Sequence, residues 1–164
     1  DLLSVKSNDL SCIVHLHQLK SFYTSSKKNP IDLSVLKKMK SIQELCIVYH
    51  LSLNSIDFIS DMTGLEDLKL FLIPNLRSLP SFKKLKHLRS IQIDELKNLE
   101  DVSQLQTCIN LEYLQMNHHG CKPEAFYFLP HLKKLKKAYV YFKKKKYEIA
   151  FRDFLVLNKM ATFN

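Results

Sequence analysis

At 164 residues and 19.3 kDa the chain has the length of one domain, and 46% hydrophobic with 25% charged residues excludes a disordered chain. No run of about 18 apolar residues is present to cross a membrane, and a total of two glycines argues against glycine-rich phosphate loops. The formal charge of +9 points first to nucleic acid or an acidic surface, so its distribution matters.

Taken in chain order, the predicted elements repeat. The chain opens at Asp1 without a leader pattern, and the first recognisable unit starts near Leu10 with no N-terminal cap, as in a piece cut from a longer array. Apolar anchors then fall at Leu19, Ile42, Leu65, Leu88 and Leu111, each 23 residues after the last, with a sixth at Leu132 after 21. Apolar residues nine, six and three places before each anchor, such as Leu33, Leu36 and Met39, predict a short helical or 3-10 turn. Residues three and five places after it, such as Leu68 and Leu70 or Ile91 and Ile93, predict a strand over about +2 to +6. Steps of three drift about 60° each around a helix, so no amphipathic helix keeps this pattern on one face. Each unit is too small to bury its own apolar face, and neighbours stack into a solenoid with a shared core. After a strand-like run at Ala138 to Phe142, four lysines precede an apolar segment, Tyr147 to Met160, read as a closing helix. The division is 1–142 for a repeat array of about six units and 143–164 for the lysine turn and capping helix.

The segments Leu65-Glu66-Asp67-Leu68-Lys69-Leu70 and Leu88-Arg89-Ser90-Ile91-Gln92-Ile93 resemble the leucine-rich repeat family over about residues 10–138. Pro74 to Pro80 is similar to irregular repeats of immune-receptor type, and Glu100 to Leu105 to bacterial repeats. The family's usual Asn or Cys soon after the strand is missing at +8, where His50, Ile73, Leu96 and His119 stand. The resemblance implies an α/β fold: a right-handed leucine-rich-repeat solenoid with a parallel sheet on the concave face, short helical or 3-10 turns on the convex face and a C-terminal helical cap. It also implies protein recognition rather than catalysis.

The outward positions +2, +4 and +6 name the candidate surface. They hold Ser21, Tyr23 and Ser25, then Glu44, Cys46 and Val48, then Asp67, Lys69 and Phe71. Ser90, Gln92 and Asp94 follow, then Tyr113, Gln115 and Asn117, and finally Lys134 and Lys136. Val48, Tyr49, Phe71 and Leu72 share the +6 and +7 columns, either as an apolar patch at the sheet edge or with Phe71 and Leu72 turned under the next loop. Tyr49 and Phe71 are the candidate anchors, with Tyr23 and Tyr113 beside them. The expectation is a non-catalytic module that binds a protein partner here, with no cofactor and no metal.

Four dispersed cysteines, Cys12, Cys46, Cys108 and Cys121, favour a reducing, cytoplasmic setting or an intracellular domain of a larger protein. His118-His119-Gly120-Cys121 supplies half a zinc site with no second ligand pair, and reads instead as a polar loop in which Gly120 permits a turn. A Cys–His catalytic pair would have to join Cys46 to His50 or Cys121 to His119. Eight lysines and no acid lie between His131 and Tyr147, while residues 1–130 hold fifteen Lys+Arg against fourteen Asp+Glu. The basicity is therefore local. Lys143, Lys144, Lys145 and Lys146, interleaved with aromatics, form an alternative basic patch for nucleic acid; the competing reading is a solvated turn.

Overall fold

The computed structural model of the chain describes residues 2–4, 9–27 and 30–160. It is a leucine-rich-repeat solenoid built on one seven-stranded parallel sheet whose spatial order follows chain order. The strands are β1 (Leu2–Ser4), β2 (Ser21–Ser25), β3 (Glu44–Val48), β4 (Asp67–Phe71), β5 (Ser90–Asp94), β6 (Tyr113–Asn117) and β7 (Lys137–Val140). A helix, α1 (Lys145–Leu157), closes the C-terminal end. From β2 to β6 the residues in register lie 23 apart, so the sequence columns are physical columns: Leu45 pairs with Leu68, Leu68 with Ile91, and Ile91 with Leu114.

Alternation within each strand puts +3 and +5 into the core, and those residues are buried throughout. The convex turns begin by a repeated device ten residues before the anchor. Asp9, Asp32 and Asp101 each accept the backbone N–H two residues on, from Ser11, Ser34 and Ser103, at 2.8 Å, and Ser55 does the same for Asp57 at 3.2 Å. A 3-10 turn follows each one: Ser11–His15, Ser34–Lys38, Asp57–Asp61 and Ser103–Thr107. In the unit between β4 and β5 the acceptor is Ser78, but the residue two on is Pro80, which has no N–H to donate. That unit has no 3-10 turn, and Ser78 instead forms a parallel bridge with Asp101. The interruption falls within the Pro74 to Pro80 stretch.

The last unit departs from the expected register. β7 pairs Tyr113 with Lys137 and Gln115 with Tyr139, and the N–H groups of Lys136 and Lys137 share the Glu112 carbonyl as Glu112 and Tyr113 share that of Arg89. The sixth anchor is therefore Leu135, 24 residues after Leu111, and Leu132 occupies the buried place three before it. Lys134 and Lys136 lie outside the strand; Lys137 and Tyr139 take their places. Two further expectations are corrected. The sheet has seven strands rather than six, because Leu2–Ser4 pairs with Ser21–Tyr23. Leu16, three places before the Leu19 anchor, is 43% exposed where Met39, Met62, Leu85 and Cys108 are buried at the same position, and among the described residues no earlier 3-10 turn stacks on it.

The backbone turns after the strands also differ from expectation. Tyr49, Leu72, Glu95 and His118 all occupy +7, and all have φ between 47° and 59°, a region that favours glycine. Neither glycine has positive φ. Gly64 and Gly120 serve close packing between units: a Cβ on Gly120 would stand 2.8 Å from the Lys97 carbonyl oxygen and 3.0 Å from that of Leu99, and one on Gly64 would collide with the carbonyl of Lys40.

α1 covers the last unit with Phe151 and Leu155, which are buried, and with Tyr147 and Phe154 beside them. Phe126, Phe142 and Phe151 form a mutual edge-to-face cluster with ring centroids 5.3–5.8 Å apart, a geometry that adds to the burial itself. The helix ends at Lys159 (φ 53°), where Met160 N–H bonds Leu155 and Lys159 N–H bonds Val156, a Schellman closure. No helix among the described residues is long and apolar enough to cross a membrane.

Candidate functional site

The outward side chains of the sheet form the candidate surface, and the ladder fixes which of them meet. Tyr23, Cys46, Lys69, Gln92, Gln115 and Tyr139 form one transverse row through their register pairs. Ser21, Glu44, Asp67, Ser90, Tyr113 and Lys137 form a second. Ser21 Oγ donates to Glu44 at 3.1 Å, and Lys69 stands 4.0 Å from Asp67. Burial raises the Asp67 carboxyl above its ordinary range, with Lys69 opposing it, and burial likewise raises the Cys46 thiol. Glu44 and Asp67 against Lys69 and Lys137 leave these rows without the basic excess of the whole chain.

Of the apolar patch residues, Val48, Phe71 and Leu72 are half-buried, and none is part of the buried core. Tyr49 is 36% exposed, with Lys27 Nζ 4.5 Å from its ring centroid. A second aromatic set lies at the other end of the sheet. Tyr113 and Tyr139 tilt against one another at 6.1 Å, and Tyr113 OH donates to Gln115 at 2.6 Å. A cavity of about 540 Å³ opens there, lined by Tyr113, Gln115, Asn117, Tyr139, Tyr141 and Glu148 among others. Tyr139 and Tyr141 were absent from the sequence-derived surface because the last unit was placed three residues early. The signal that finds them is Lys137, a charge that an anchor at Leu132 puts in the buried +5 column.

The loop after β6 does not bring His118, His119 and Cys121 together as a zinc half-site. His118 turns outward, where its Nδ1 lies 2.8 Å from Asp94 Oδ1 and 3.3 Å from Glu95 Oε1. His119 turns inward between Phe126 and Phe142, at 5.5 and 5.2 Å, and neither ring nitrogen has a hydrogen-bond partner. Its pKa is depressed to about 4 by burial and by the neighbouring His118. Cys121 is buried, its Sγ donates to the Leu99 carbonyl at 3.2 Å, and burial pushes the thiol up to about 12. It follows Asn75 and Asn98 in the +10 column, which bond back to the carbonyls of Leu51 and Pro74. The Asn or Cys sought at +8 is thus found two places later, tying each unit to the one before.

Neither Cys–His pair forms. His50 is buried with its Nε2 bonded to Thr24 Oγ1 at 3.1 Å, and His119 makes no hydrogen bond to Cys121. All four cysteines are free thiols, Cys12 being exposed and Cys108 pushed up to about 12 by burial. Lys143 to Lys146 are all exposed; Lys145 and Lys146 lie in the first turn of α1, and Lys144 and Lys146 flank the Tyr147 ring at 5.4 and 5.5 Å. Their charge opposes the helix dipole, which Glu148 offsets while it accepts Phe142 N–H at 2.9 Å.

No protein-family model and no curated protein matches the sequence. Among solved structures the chain is similar to an internalin (inlF) of Listeria monocytogenes, at 16% identity and a TM-score of 0.35, over 95% of this chain and 64% of that one. It is similar to internalin C2 of the same organism at 17% identity and a TM-score of 0.35, over 79% and 74%. A leucine-rich-repeat protein of Leptospira interrogans gives 13% identity and a TM-score of 0.39, over 79% and 38%. The chain spans less than two thirds of the length of the first and third of these.

Proposed function

We propose that the chain is a non-catalytic recognition module that binds a protein partner across the concave face of its sheet. The observation that carries this reading is the aromatic and polar surface that converges at β6 and β7, where Tyr113, Tyr139 and Tyr141 line a cavity of about 540 Å³. Seven strands at roughly 4.8 Å spacing offer a face about 29 Å across. That width suits a folded partner or an extended peptide. Binding energy concentrates in aromatic anchors surrounded by polar contacts, and this face offers tyrosines among Gln92, Gln115, Asn117 and Asp94. Tyr23, Tyr49 and Phe71 extend the same surface towards β2, with Glu44, Val48, Asp67 and Lys69 between them.

The test is affinity capture with mass spectrometry, after nuclease treatment and at two salt concentrations, on three proteins: wild type, Tyr113→Ala/Tyr139→Ala, and Lys143–Lys146→Ala. A protein retained by wild type and by the lysine variant, but lost from the tyrosine variant, supports the reading. Capture that disappears with nuclease or with the lysine variant alone, and that falls steeply with salt, transfers the function to the basic patch.

A further inference from the structure

We propose that Asp94, Glu95 and His118 bind one divalent first-row transition-metal ion of the zinc class. The three come from the ends of adjacent strands, Asp94 at +6 and Glu95 at +7 after β5 and His118 at +7 after β6. Glu95 and His118 share the left-handed backbone of that column (φ 56° and 47°), so their side chains leave consecutive units side by side. One ligand atom from each lies within 4.8 Å of the other two, and two of the separations are 2.8 and 3.3 Å. With ligand distances of about 2.0–2.2 Å, neighbouring donors around zinc stand roughly 2.9 Å apart in octahedral and 3.4 Å apart in tetrahedral geometry. The 3.3 Å separation falls in that interval and the 2.8 Å hydrogen bond lies just short of it, so an ion at the His118 Nδ1 lone pair replaces that hydrogen bond as the Asp94 carboxylate moves outward.

Three further features favour a metal over a simple ion pair. Lys97 holds Glu95 through Oε2 at 2.9 Å and leaves Oε1, the oxygen facing His118, to coordinate; outer partners of this kind orient ligating carboxylates. Tyr141 packs against the His118 ring in a T-shaped contact, with centroids 6.1 Å apart. Two carboxylates and a neutral imidazole carry −2, or −1 with the Lys97 ammonium counted, a net negative site for a divalent ion. The imidazole nitrogen selects zinc-like ions over calcium and magnesium, which take oxygen donors. Three protein donors leave a tetrahedral ion one open position, directed to solvent beside the concave face.

The experiment is calorimetric titration of tag-free protein with Zn²⁺, supported by the visible spectrum of the Co²⁺ form. One Zn²⁺ per chain is expected, with affinity reduced about tenfold or more in Asp94→Asn and in His118→Asn, the latter chosen because Asn tolerates positive φ. The Co²⁺ spectrum should show ligand-field bands without thiolate charge transfer. His15→Gln/His17→Gln should bind as wild type does, and far-ultraviolet circular dichroism should be unchanged in every variant. No Zn²⁺ binding, binding unaffected by His118→Asn, or binding lost with the His15/His17 variant overturns the proposal. These outcomes are independent of whether the concave face captures a protein.

Discussion

Among the described residues, Thr24 and His50 are the polar side chains buried with the apolar core, at 5% and 2% exposure. Their 3.1 Å hydrogen bond crosses from the +5 column of one unit to the +8 column of the next. A buried polar atom that loses its partner costs about 1–3 kcal/mol, whereas removing both partners is close to neutral. Thr24→Val strands the imidazole, and the added methyl recovers roughly 0.8 kcal/mol of transfer energy, so the net loss is about 1 kcal/mol. His50→Leu strands the hydroxyl at a similar cost. The double variant makes both places apolar, as they are in the next units (Ile47 and Leu70 at +5, Ile73 and Leu96 at +8), and should return close to wild type. The coupling is then about 1–3 kcal/mol, or about 2–4 °C in Tm per kcal/mol for a chain of this size. Urea denaturation followed by circular dichroism, with a shared m-value, measures all four corners of the cycle. Single effects that add to within about 0.3 kcal/mol would refute the reasoning. A pH series supplies a second check. Burial lowers the His50 pKa from 6.5, with the Thr24 hydrogen bond partly opposing it, so the unfolded chain takes up the proton first. His50's contribution is complete above about pH 6.5 and declines as the pH falls below it. In His50→Leu that part of the pH slope should vanish.

Gly64→Ala should destabilise by about 2 kcal/mol, read from the urea midpoint, because its Cβ meets the Lys40 backbone carbonyl and neither chain can step aside. His119→Leu should stabilise by about 1 kcal/mol, since two unpaired ring nitrogens cost more than the edge contacts to Phe126 and Phe142 contribute; a drop in Tm would show that the ring is paired in solution. Lys159→Gly should raise Tm by a few degrees, from about 1 kcal/mol of relieved backbone strain at an exposed position with φ 53°. No gain there would mean that the Schellman closure does not persist in solution.

Much of the fold was legible because a 23-residue period repeats the same burial decision many times. One misleading residue, such as Thr24 in an apolar column, is outvoted by Ile47, Leu70, Ile93 and Met116. What one column cannot show is complementarity between columns. Thr24 and His50 each look like a defect alone, and they make sense only once neighbouring units are stacked. The same holds for His118: a search along the chain for its metal partners looks to His119 and Cys121, which turn into the core. Asp94 and Glu95, 24 and 23 residues earlier, are brought beside it by the ladder. The left-handed +7 column was illegible for a different reason. Tyr49, Leu72 and Glu95 are residues that seldom adopt positive φ, so at three of the four positions composition points away from the conformation that the turn imposes.

The misplaced last unit shows how the error could have been avoided from physical chemistry alone. Leu132 and Leu135 both satisfy the anchor position, and counting apolar matches near the anchor does not separate them. The +5 column does. An anchor at Leu132 requires Lys137 in a place that is buried in every other unit, and an unpaired buried ammonium costs far more than any leucine match returns. An anchor at Leu135 puts Ala138 and Val140 into the core and sets Lys137 and Tyr139 outward, as observed. The consequence reaches function. The first register would have ended the concave face in Lys134 and Lys136, continuous with the lysine tract and suited to a polyanion. The observed register ends it with Tyr139 against Tyr113 and leaves Lys133, Lys134 and Lys136 outside the strand, Lys136 paired with Glu112. The last unit therefore sets Tyr139 rather than Lys136 beside Gln115, and the tyrosine and lysine variants should affect different ligands.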